Sequence, residues 1–595
     1  MKERGFVLVA GVTWALGAGA ALAAVPMGEY RVAVDGGVRV SMRDGVGLVA
    51  DVYRPDAPGT FPVLLQRTPY NRAQPETGVL LASHGYVVVL QDARGRYDSE
   101  GDFYPFRNEG RDGYDSVEWA AALPYSNGKV GMFGGSYVGA TQMLAAAARP
   151  PHLAAIFPYV TASEYYEGWT YQSGAFMQWF ASSWASLLAE DTARRVSRSS
   201  LRWRDWVSPL PVEGFRLLDL PAPAQIAPYY RDWVEHERDD EYWKAVRVRD
   251  HFEEMTVKGL HAGGWHDLFL KGSIENYRGL REKGATPEAR EGQRLLLGPW
   301  CHGPTSPEGQ IGDVGFGPDA VLDMDRAVLE WFDYALKGAA NAYASRAPVR
   351  LFVMGENKWR EEAEFPLARS RATKYFLHST RAANSAAGDG ALSLDPPRQE
   401  PPARFEYDPE RPVETIGGRL CCGPGTKPGP YDQRPSESRE DVLVFTTPPL
   451  ARDTEVTGYV RVELFAASSA VDTDFTALLA DVDASGYARF LTDGIVRARY
   501  RNGTARAELL DPGRVYPFTI DLWATSNLFK AGHRIRLYVS SSNFPRFSRN
   551  LNTGEPVLGG TRAVKARQTV FHDAERPSAL VLPIVPAAGA GADRR

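Results

Sequence analysis

The sequence has few cysteines, and their arrangement is not that of a disulfide scaffold. Its 595 residues contain Cys301, Cys421 and Cys422 and no other cysteine. A chain of this size can build a stable core without disulfides, and adjacent cysteines can be bridged only through a strained ring. We therefore predict that the protein has no structural disulfide.

The sequence also lacks the patterns of metal, haem and nucleic-acid-binding proteins. Its ten histidines are scattered, and no His/Cys spacing matches a zinc or haem site. The formal net charge is -5 and no long run of basic residues occurs, so the chain has no electrostatic footprint for nucleic acid. We expect no metal, no cofactor and no nucleic-acid partner.

Long apolar runs are absent except at the N-terminus. Met1-Lys-Glu-Arg4 precedes an apolar run over residues 5–20, and Ala21-Leu-Ala23 offers a small-x-small cleavage site. The run is rich in alanine and glycine and no charged stop follows it, which favours a signal peptide over residues 1–23 rather than a membrane anchor. We predict a periplasmic or secreted protein with no membrane attachment after cleavage.

The first third of the mature chain carries the pattern of an α/β sheet. Alternating polar and apolar residues from 29 to 53 predict antiparallel strands, with a hairpin turn at Gly36-Gly37. Continuous apolar runs at 61–66, 86–91 and 130–133 indicate parallel strands buried on both faces. Ligands bind at the carboxyl ends of such strands, so we expect the functional site in the loops that follow them.

The middle of the chain changes character. Over residues 162–257 the strand pattern stops and aromatic residues crowd together, which indicates a helical cap inserted into the sheet domain. Rings such as Trp169 and Phe176 can line an acyl or aryl pocket, or they can form the core of the cap; for any single ring the core is favoured.

Strand signals resume at 258–264 and 294–298, as if the sheet continues after the insertion. From Val349 onward the chain has the short strands and turns of a β-sandwich. The predicted organisation is a signal peptide (1–23), a first α/β part (24–161), a cap (162–257), a second α/β part (258–345), a sandwich (346–585) and a tail (586–595).

One serine lies in a strand-to-helix turn of the kind that carries nucleophiles. Lys129-Val-Gly-Met-Phe133 reads as a strand, Gly134-Gly-Ser136 follows, and an alanine-rich helix begins directly afterwards. The common elbow has glycine two residues on either side of the serine, whereas here Val138 occupies the second position and Gly139 comes next. Ser136 is the candidate nucleophile; the alternative is a glycine-rich turn with an incidental serine.

A serine nucleophile needs a histidine as base and usually an acid that orients the imidazole. In α/β-hydrolases the chain order is serine, acid, histidine. Asp267 and His302 satisfy this order, and each follows a predicted strand. The other histidines considered fit less well because of their position in strands, at helix ends or in the sandwich: His84, His152, His261, His266, His378, His533 and His572.

Six motifs, in order along the mature chain, resemble the cocaine-esterase family, also called X-Pro dipeptidyl-peptidase-like (CocE/NonD) hydrolases, which includes α-amino-acid ester hydrolases and some cephalosporin acylases. They are Arg67-Thr-Pro-Tyr-Asn71, Asp92-Ala-Arg-Gly-Arg96 with Ser99-Glu-Gly101, Gly134-Gly-Ser-Tyr-Val-Gly139, Gly264-Trp-His-Asp267, Gly298-Pro-Trp-Cys-His302 and Ser542-Asn-Phe-Pro-Arg-Phe547. The resemblance implies an α/β-hydrolase domain with an inserted helical cap, followed by a jelly-roll sandwich similar to galactose-binding domains.

The resemblance also implies roles for individual residues. Ser136 would attack a carbonyl carbon, His302 would accept and return the proton, and Asp267 would orient His302. The oxyanion hole would consist of the backbone N–H of Tyr137 and the hydroxyl of Tyr70.

Two positions depart from the aminoacyl-ester branch of the family. The resemblance implies that members of that branch carry an acidic pair two and three residues after the catalytic aspartate, and that this pair holds a substrate ammonium. This chain has Phe269 and Leu270 at those positions. These residues suggest an uncharged acyl group. Glu164 or Glu167 could replace the missing charge, although surface glutamates are the favoured interpretation.

We therefore predict an exported serine hydrolase that cleaves carboxylic esters, with amides left open, through an acyl-enzyme. The alternatives are an amidase or dipeptidyl-peptidase-like enzyme, an α-amino-acid ester hydrolase or acylase, and a carbohydrate-binding protein that uses the sandwich. The expected partner is a small ester or amide substrate, and a homo-oligomer is left open.

Overall fold

The computed structural model describes residues 25–197, 226–303, 305–423, 425–557, 560 and 562–587. The predicted signal peptide, part of the predicted cap and residues 588–595 of the predicted tail lie outside these ranges. Within them, no helix combines the length and the apolar character that crossing a bilayer requires.

The N-terminal part alternates strands and helices. Its strands are β1 (Val32–Ser41), β2 (Gly47–Pro55), β3 (Phe61–Thr68), β4 (Val87–Asp92), β5 (Ser126–Gly135), β6 (Leu153–Tyr159), β7 (Tyr171–Gln172), β8 (Ala175–Phe176), β9 (Lys258–His266), β10 (Gln293–Cys301), β11 (Gln310–Ile311), β12 (Val314–Gly315), β13 (Val349–Val353) and β14 (Lys358–Glu362). Its helices are α1 (Pro75–Ser83), α2 (Glu109–Ala121), α3 (Tyr137–Ala148), α4 (Gln178–Ser197), α5 (Pro228–Glu235), α6 (Glu241–Lys244), α7 (Leu270–Lys283), α8 (Pro287–Glu291), α9 (Met324–Lys337) and α10 (Ala342–Ser345).

Ten of these strands form one sheet in the order β1-β2-β4-β3-β5-β6-β9-β10-β13-β14. The inner neighbours from β4 to β13 run parallel, and antiparallel strands close both edges. Helices cover the two faces, which is why the inner strands are continuous apolar runs. Val349–Val353 was expected to begin the sandwich, but it pairs in parallel with β10 and belongs to this sheet.

The entry strand also differs from its prediction. Gly36-Gly37 does not form a hairpin turn, because β1 continues through both residues as one strand paired with β2. The register shifts between Asp35 and Val38, so the glycines form a bulge, which explains the positive φ of 69° at Gly37.

The segment between β6 and β9 contains the β7–β8 hairpin, helices α4 to α6 and the short 3-10 helix Val248–Glu254. Its aromatic rings pack on one another. Trp184 stacks on Trp233 with ring centroids 5.6 Å apart and on Phe180 at 5.7 Å. This segment is the helical insertion that the aromatic pattern predicted.

The C-terminal part is a β-sandwich. Its strands are β15 (Arg371–His378), β16 (Ala391–Ser393), β17 (Ala403–Tyr407), β18 (Leu443–Thr446), β19 (Thr454–Ser468), β20 (Asp474–Val482), β21 (Ala488–Arg497), β22 (Tyr516–Phe529), β23 (Arg534–Ser540), β24 (Ala566–Phe571) and β25 (Ala579–Val585). The motif that follows β23 contacts the insertion, because Pro545 O accepts from Trp179 N at 3.0 Å and Ser548 N donates to Phe176 O at 2.8 Å.

Cys421 and Cys422 are joined by a disulfide, so the prediction of no structural disulfide is wrong. They lie in a loop whose ends are tied by two hydrogen bonds between Gly418 and Gly429, of 2.7 and 2.9 Å. Cys422 has a φ of 72°. This local backbone conformation, which neighbouring cysteines in a sequence do not reveal, brings the two sulfurs together. Cys301 is a buried free thiol.

A buried ion pair ties β3, α2 and α3 together beneath the carboxyl ends of the strands. The Arg67 guanidinium donates to Glu109 Oε2 at 2.7 Å and to Gln91 Oε1 at 2.9 Å. Glu109 Oε1 accepts from the hydroxyl of Tyr137 at 2.8 Å. Arg67 is fully buried and Glu109 is 3% exposed. If either residue were removed, water could not reach the remaining charge to solvate it.

We expect Glu109→Ala to lower the free energy of unfolding by about 3–5 kcal/mol, because it leaves the Arg67 charge buried without its main partner. Urea denaturation followed by circular dichroism measures this change. Glu100→Ala is the matched control, since Glu100 pairs with Arg39 where both side chains are about half exposed, and its effect should be much smaller. Equal losses in the two variants would contradict the importance given to the buried pair.

Candidate active site

Ser136 lies at the turn between β5 and α3. Its φ is 59° and its ψ is -127°, a strained conformation that is typical of a nucleophile elbow. The backbone is held there from β6, since Ser136 N donates to Tyr159 O at 3.0 Å. The serine hydroxyl therefore projects beyond the carboxyl edge of the sheet.

The glycines around Ser136 are explained by close neighbours. A Cβ at Gly134 would lie 2.3 Å from Val138 Cγ1, and Gly134 also has a φ of 130°. A Cβ at Gly139 would lie 2.8 Å from the Thr161 Cβ. Val138, which replaces the glycine of the common elbow, thus packs into the space that Gly134 leaves.

The structure brings Ser136, His302 and Asp267 into one hydrogen-bonded chain. His302 Nε2 lies 3.0 Å from Ser136 Oγ, and His302 Nδ1 lies 2.7 Å from Asp267 Oδ2. Asp267 is fully buried, and its Oδ1 accepts from Phe269 N at 2.6 Å. A carboxylate in this position fixes the imidazole tautomer that leaves Nε2 free to accept the serine proton.

The acid and the base follow neighbouring parallel strands. Asp267 comes directly after β9 and His302 directly after β10, whose pairing register shifts between Gly298 and Cys301. Two glycines make room for the Trp300 residue between them, because a Cβ at Gly264 would lie 2.2 Å from Trp300 O and one at Gly298 would lie 2.3 Å from the Trp300 ring. The glycines of both motifs therefore serve this packing.

The Tyr70 hydroxyl lies close to the Ser136 hydroxyl. It accepts a hydrogen bond from Trp184 Nε1 at 2.8 Å and is within hydrogen-bonding reach of Ser136. Burial raises the pKa of Tyr70 to about 12, against the opposing effect of the hydrogen bonds with Trp184 and Ser136. The phenol is therefore protonated at neutral pH and can donate a hydrogen bond.

Tyr137 is the first residue of α3, immediately after Ser136. Backbone N–H groups in the first turn of a helix have no acceptor within that helix, so the Tyr137 N–H is available to a ligand beside the serine. Its side chain points elsewhere, since the hydroxyl donates to Glu109 and accepts from Phe106 N at 2.9 Å. Tyr70 and Tyr137 thus flank Ser136 as the two expected donors.

The Asp92–Arg96 loop supports the site instead of contacting it. Asp92 is buried and pairs with Arg72. Arg96 is 2% exposed, and its guanidinium donates to Pro69 O at 2.9 Å and to Leu188 O at 2.8 Å. Arg96 therefore joins the residue before Tyr70 to helix α4.

One of the four residues expected in the substrate pocket adjoins the catalytic histidine candidate. The rings of Phe269 and His302 are nearly perpendicular with centroids 5.2 Å apart, and Trp169 stacks on the other residue of this pair, Phe269, at 4.1 Å. Phe176 packs against aromatic rings of the insertion. Leu270 begins α7 and is fully buried.

The interpretation of Glu164 and Glu167 as surface residues is wrong. Glu164 is 1% exposed, and its carboxylate lies 2.6 Å from the Arg249 guanidinium. Burial raises the pKa of Glu164 to about 8, although Arg249 opposes the shift. Glu167 pairs with Lys271 at 3.1 Å. Both carboxylates therefore have cationic partners within the protein.

Sequence reasoning missed three contributors to the site. The disulfide pair Cys421 and Cys422 lies beside His302, with Cys421 2% exposed. Trp184 was noted only as one cap aromatic, yet its indole orients Tyr70. The adjacent cysteines are the one unusual local signal that could have drawn attention to their loop.

Two family models match consecutive parts of the chain. Residues 44–304 match the X-Pro dipeptidyl-peptidase (S15 family), and residues 341–581 match the X-Pro dipeptidyl-peptidase C-terminal non-catalytic domain. A cocaine esterase from Rhodococcus sp. (strain MB1 Bresler) is 36% identical over 583 residues, which cover 94% of this chain and 99% of that protein.

Solved structures extend the similarity over nearly the whole chain. An aminopeptidase from a marine sediment Thaumarchaeota archaeon is 25% identical with a TM-score of 0.80, covering 96% of this chain and 99% of that one. An α-amino-acid ester hydrolase is 27% identical with a TM-score of 0.76, covering 95% and 98%. The chain therefore belongs to the cocaine-esterase (CocE/NonD), X-Pro dipeptidyl-peptidase-like family of serine hydrolases.

Proposed function

We propose that the protein is an exported serine hydrolase that cleaves carboxylic esters, and amides of similar shape, through an acyl-enzyme. The observation that carries this proposal is the continuous hydrogen-bonded chain from Asp267 through His302 to Ser136. Its three members come from the ends of three strands of one sheet, so the sheet holds them without any ligand.

In the proposed reaction, His302 Nε2 removes the Ser136 proton as Oγ attacks the substrate carbonyl carbon. The imidazolium that forms is stabilised by Asp267 and then protonates the leaving alcohol or amine. Water repeats the sequence on the acyl-enzyme, with His302 again as the base, and Ser136 is released.

The charge that develops on the carbonyl oxygen needs donors beside Ser136. We assign this role to the Tyr70 hydroxyl and the Tyr137 N–H. The phenol is protonated and held by Trp184. The backbone N–H belongs to a helix whose N-terminus carries partial positive charge, which favours an oxyanion.

We further propose an uncharged acyl group as the preferred substrate portion. The apolar ring of Phe269 lies beside His302, and Trp169 stacks on Phe269. The two carboxylates that could have received a substrate ammonium, Glu164 and Glu167, already pair with Arg249 and Lys271. Within the described ranges, neither of these two carboxylates is therefore free to pair with the α-amino group of a substrate.

Export to the periplasm or medium, the jelly-roll topology of the sandwich and a homo-oligomeric state belong to this proposal. The domain limits given under Sequence analysis also belong to it, except that the sheet domain extends through Glu362. Cleavage of residues 1–23 is the basis for export. A disulfide between Cys421 and Cys422 agrees with an oxidising compartment.

Replacing the nucleophile gives the first test. We expect Ser136→Ala to reduce ester hydrolysis by on the order of a millionfold and to abolish covalent labelling by a fluorophosphonate, while circular dichroism stays unchanged. Ser485→Ala, at an exposed turn of the sandwich, should keep both properties. Labelling that persists in Ser136→Ala would show that another residue is the nucleophile.

Removing the Tyr70 hydroxyl tests the oxyanion assignment. We expect Tyr70→Phe to lower kcat by about a hundredfold with little change in KM, because one transition-state donor is lost. Steady-state kinetics on a neutral ester measure both constants. Tyr375→Phe, on β15 of the sandwich, is the control. A kcat within twofold of the wild type would exclude Tyr70 from this role.

A substrate panel tests the acyl preference. Matched esters and amides with benzoyl, short alkyl, glutaryl, phenylglycyl and Ala-Pro acyl groups should be ranked by kcat/KM, with the neutral benzoyl and alkyl esters first. Faster turnover of phenylglycyl or Ala-Pro substrates would contradict this order. It would assign the enzyme to the aminoacyl branch and require an ammonium site elsewhere.

A further inference from the structure

The disulfide pair of Cys421 and Cys422 lies beside the proposed site, and the proposed reaction does not use it. The Sγ atoms of Cys421 and Cys422 and one ring nitrogen of His302 all lie within 4.8 Å of one another. Cys421 and His302 are buried and Cys422 is partly exposed. The fold thus brings two sulfurs and an imidazole nitrogen close together, although His302 is distant from the two cysteines in sequence.

The loop that carries the cysteines is held from two sides. Arg419 is buried in the sandwich, where its guanidinium donates to Thr492 Oγ1 at 2.8 Å. On the other side, Thr426 Oγ1 accepts from Trp179 Nε1 of helix α4 at 3.0 Å. These anchors do not involve either sulfur, so they keep the pair beside His302 when the disulfide is reduced.

Reduction changes what the cluster can bind. In the disulfide neither sulfur is a thiolate, and thiolates are the form in which cysteine ligates metals. After reduction, two thiolates and one imidazole form an S₂N set, which suits a zinc-class cation with a fourth position open to water.

We infer that the reduced pair and His302 form a binding site for a soft divalent cation, Zn²⁺ or Cd²⁺, and that occupation of this site switches the hydrolase off. The inhibitory part rests on the proposed function, because it takes His302 as the general base. His302 Nε2 faces Ser136 and Nδ1 faces Asp267. Whichever nitrogen binds the metal, one of these two hydrogen bonds is lost.

The redox step balances with a small dithiol such as dithiothreitol as the reductant. The Cys421–Cys422 bond takes up two electrons and two protons and becomes two thiols, while the reductant becomes a cyclic disulfide. The cation then displaces both thiol protons to solvent. The oxidised enzyme has no such site and is therefore insensitive to the metal.

Cys301 provides a matched control within the chain. It precedes His302 in sequence, but its thiol is buried and is not one of the three groups that lie together. Denatured oxidised protein should show one free thiol, from Cys301, and reduced protein should show three.

The experiment compares oxidised protein with protein that has been reduced and freed of reductant under nitrogen. Zn²⁺ binding is measured by competition with a chromogenic chelator in Ser136→Ala, where it does not depend on turnover. We expect one Zn²⁺ per chain in the reduced form and none in the oxidised form. Binding should disappear in Cys421→Ser and Cys422→Ser and persist in Cys301→Ser. Cd²⁺ should produce the ultraviolet charge-transfer absorption of a cadmium thiolate when added to the reduced protein, and should not produce it when added to the oxidised protein.

In the wild-type protein, one equivalent of Zn²⁺ should lower the rate of ester hydrolysis by the reduced enzyme about a hundredfold or more, as expected for loss of a general base. EDTA should restore this rate. Absence of Zn²⁺ binding to the reduced form, or equal binding to the oxidised form, would overturn the inference. Binding that leaves hydrolysis unchanged would overturn the switch. Failure of the proposed function is seen separately, as activity that survives in Ser136→Ala without metal.

Discussion

The site depends on a charge that is buried where water cannot reach it. Arg67, at the end of β3, is neutralised by Glu109 of α2, and the other carboxylate oxygen of Glu109 receives the hydroxyl of Tyr137. One carboxylate therefore fixes the strand that leads to Tyr70 and the helix that begins after Ser136. One proposed oxyanion donor, Tyr70, follows β3 and the other, Tyr137, begins α3, so both lie next to an ion pair whose disruption would leave a cation in the core.

Three parts of the chain contribute to this small volume. The sheet carries Ser136 and His302 at its carboxyl edge, the insertion supplies the indole of Trp184 against Tyr70, and the sandwich holds the insertion through the backbone around Pro545. Together they bury the groups around the serine, namely Tyr137, Asp267 and Trp184, while Ser136 itself stays partly exposed. Burial of these groups strengthens the electrostatic interactions among them.

The parts of the structure that the sequence predicts are those that depend on local pattern and chain order. Parallel strands and the strand-to-helix turn at Ser136 follow from periodicity and from glycine spacing. The choice of Asp267 and His302 also needed the chain order that α/β-hydrolases share. The failures depend on the folded environment. Gly36-Gly37 gives the same signal for a turn and for a bulge, and Val349–Val353 is apolar enough for either sheet. Glu164 resembles a surface residue until its ion pair with Arg249 is known. The pairing of Cys421 with Cys422 likewise required the backbone conformation of the loop.

The contacts of the Ser542–Phe547 motif with the insertion have a consequence for synthesis. Trp179 N donates to Pro545 O, and the Arg546 guanidinium donates to Gln172 Oε1. Pro545 and Arg546 lie in the C-terminal sandwich part of the chain. When the ribosome has completed the whole sheet domain, these partners have not yet been made. The insertion that supports Tyr70 therefore gains these contacts only after the chain has been made through Arg546, and products that stop before this residue lack them.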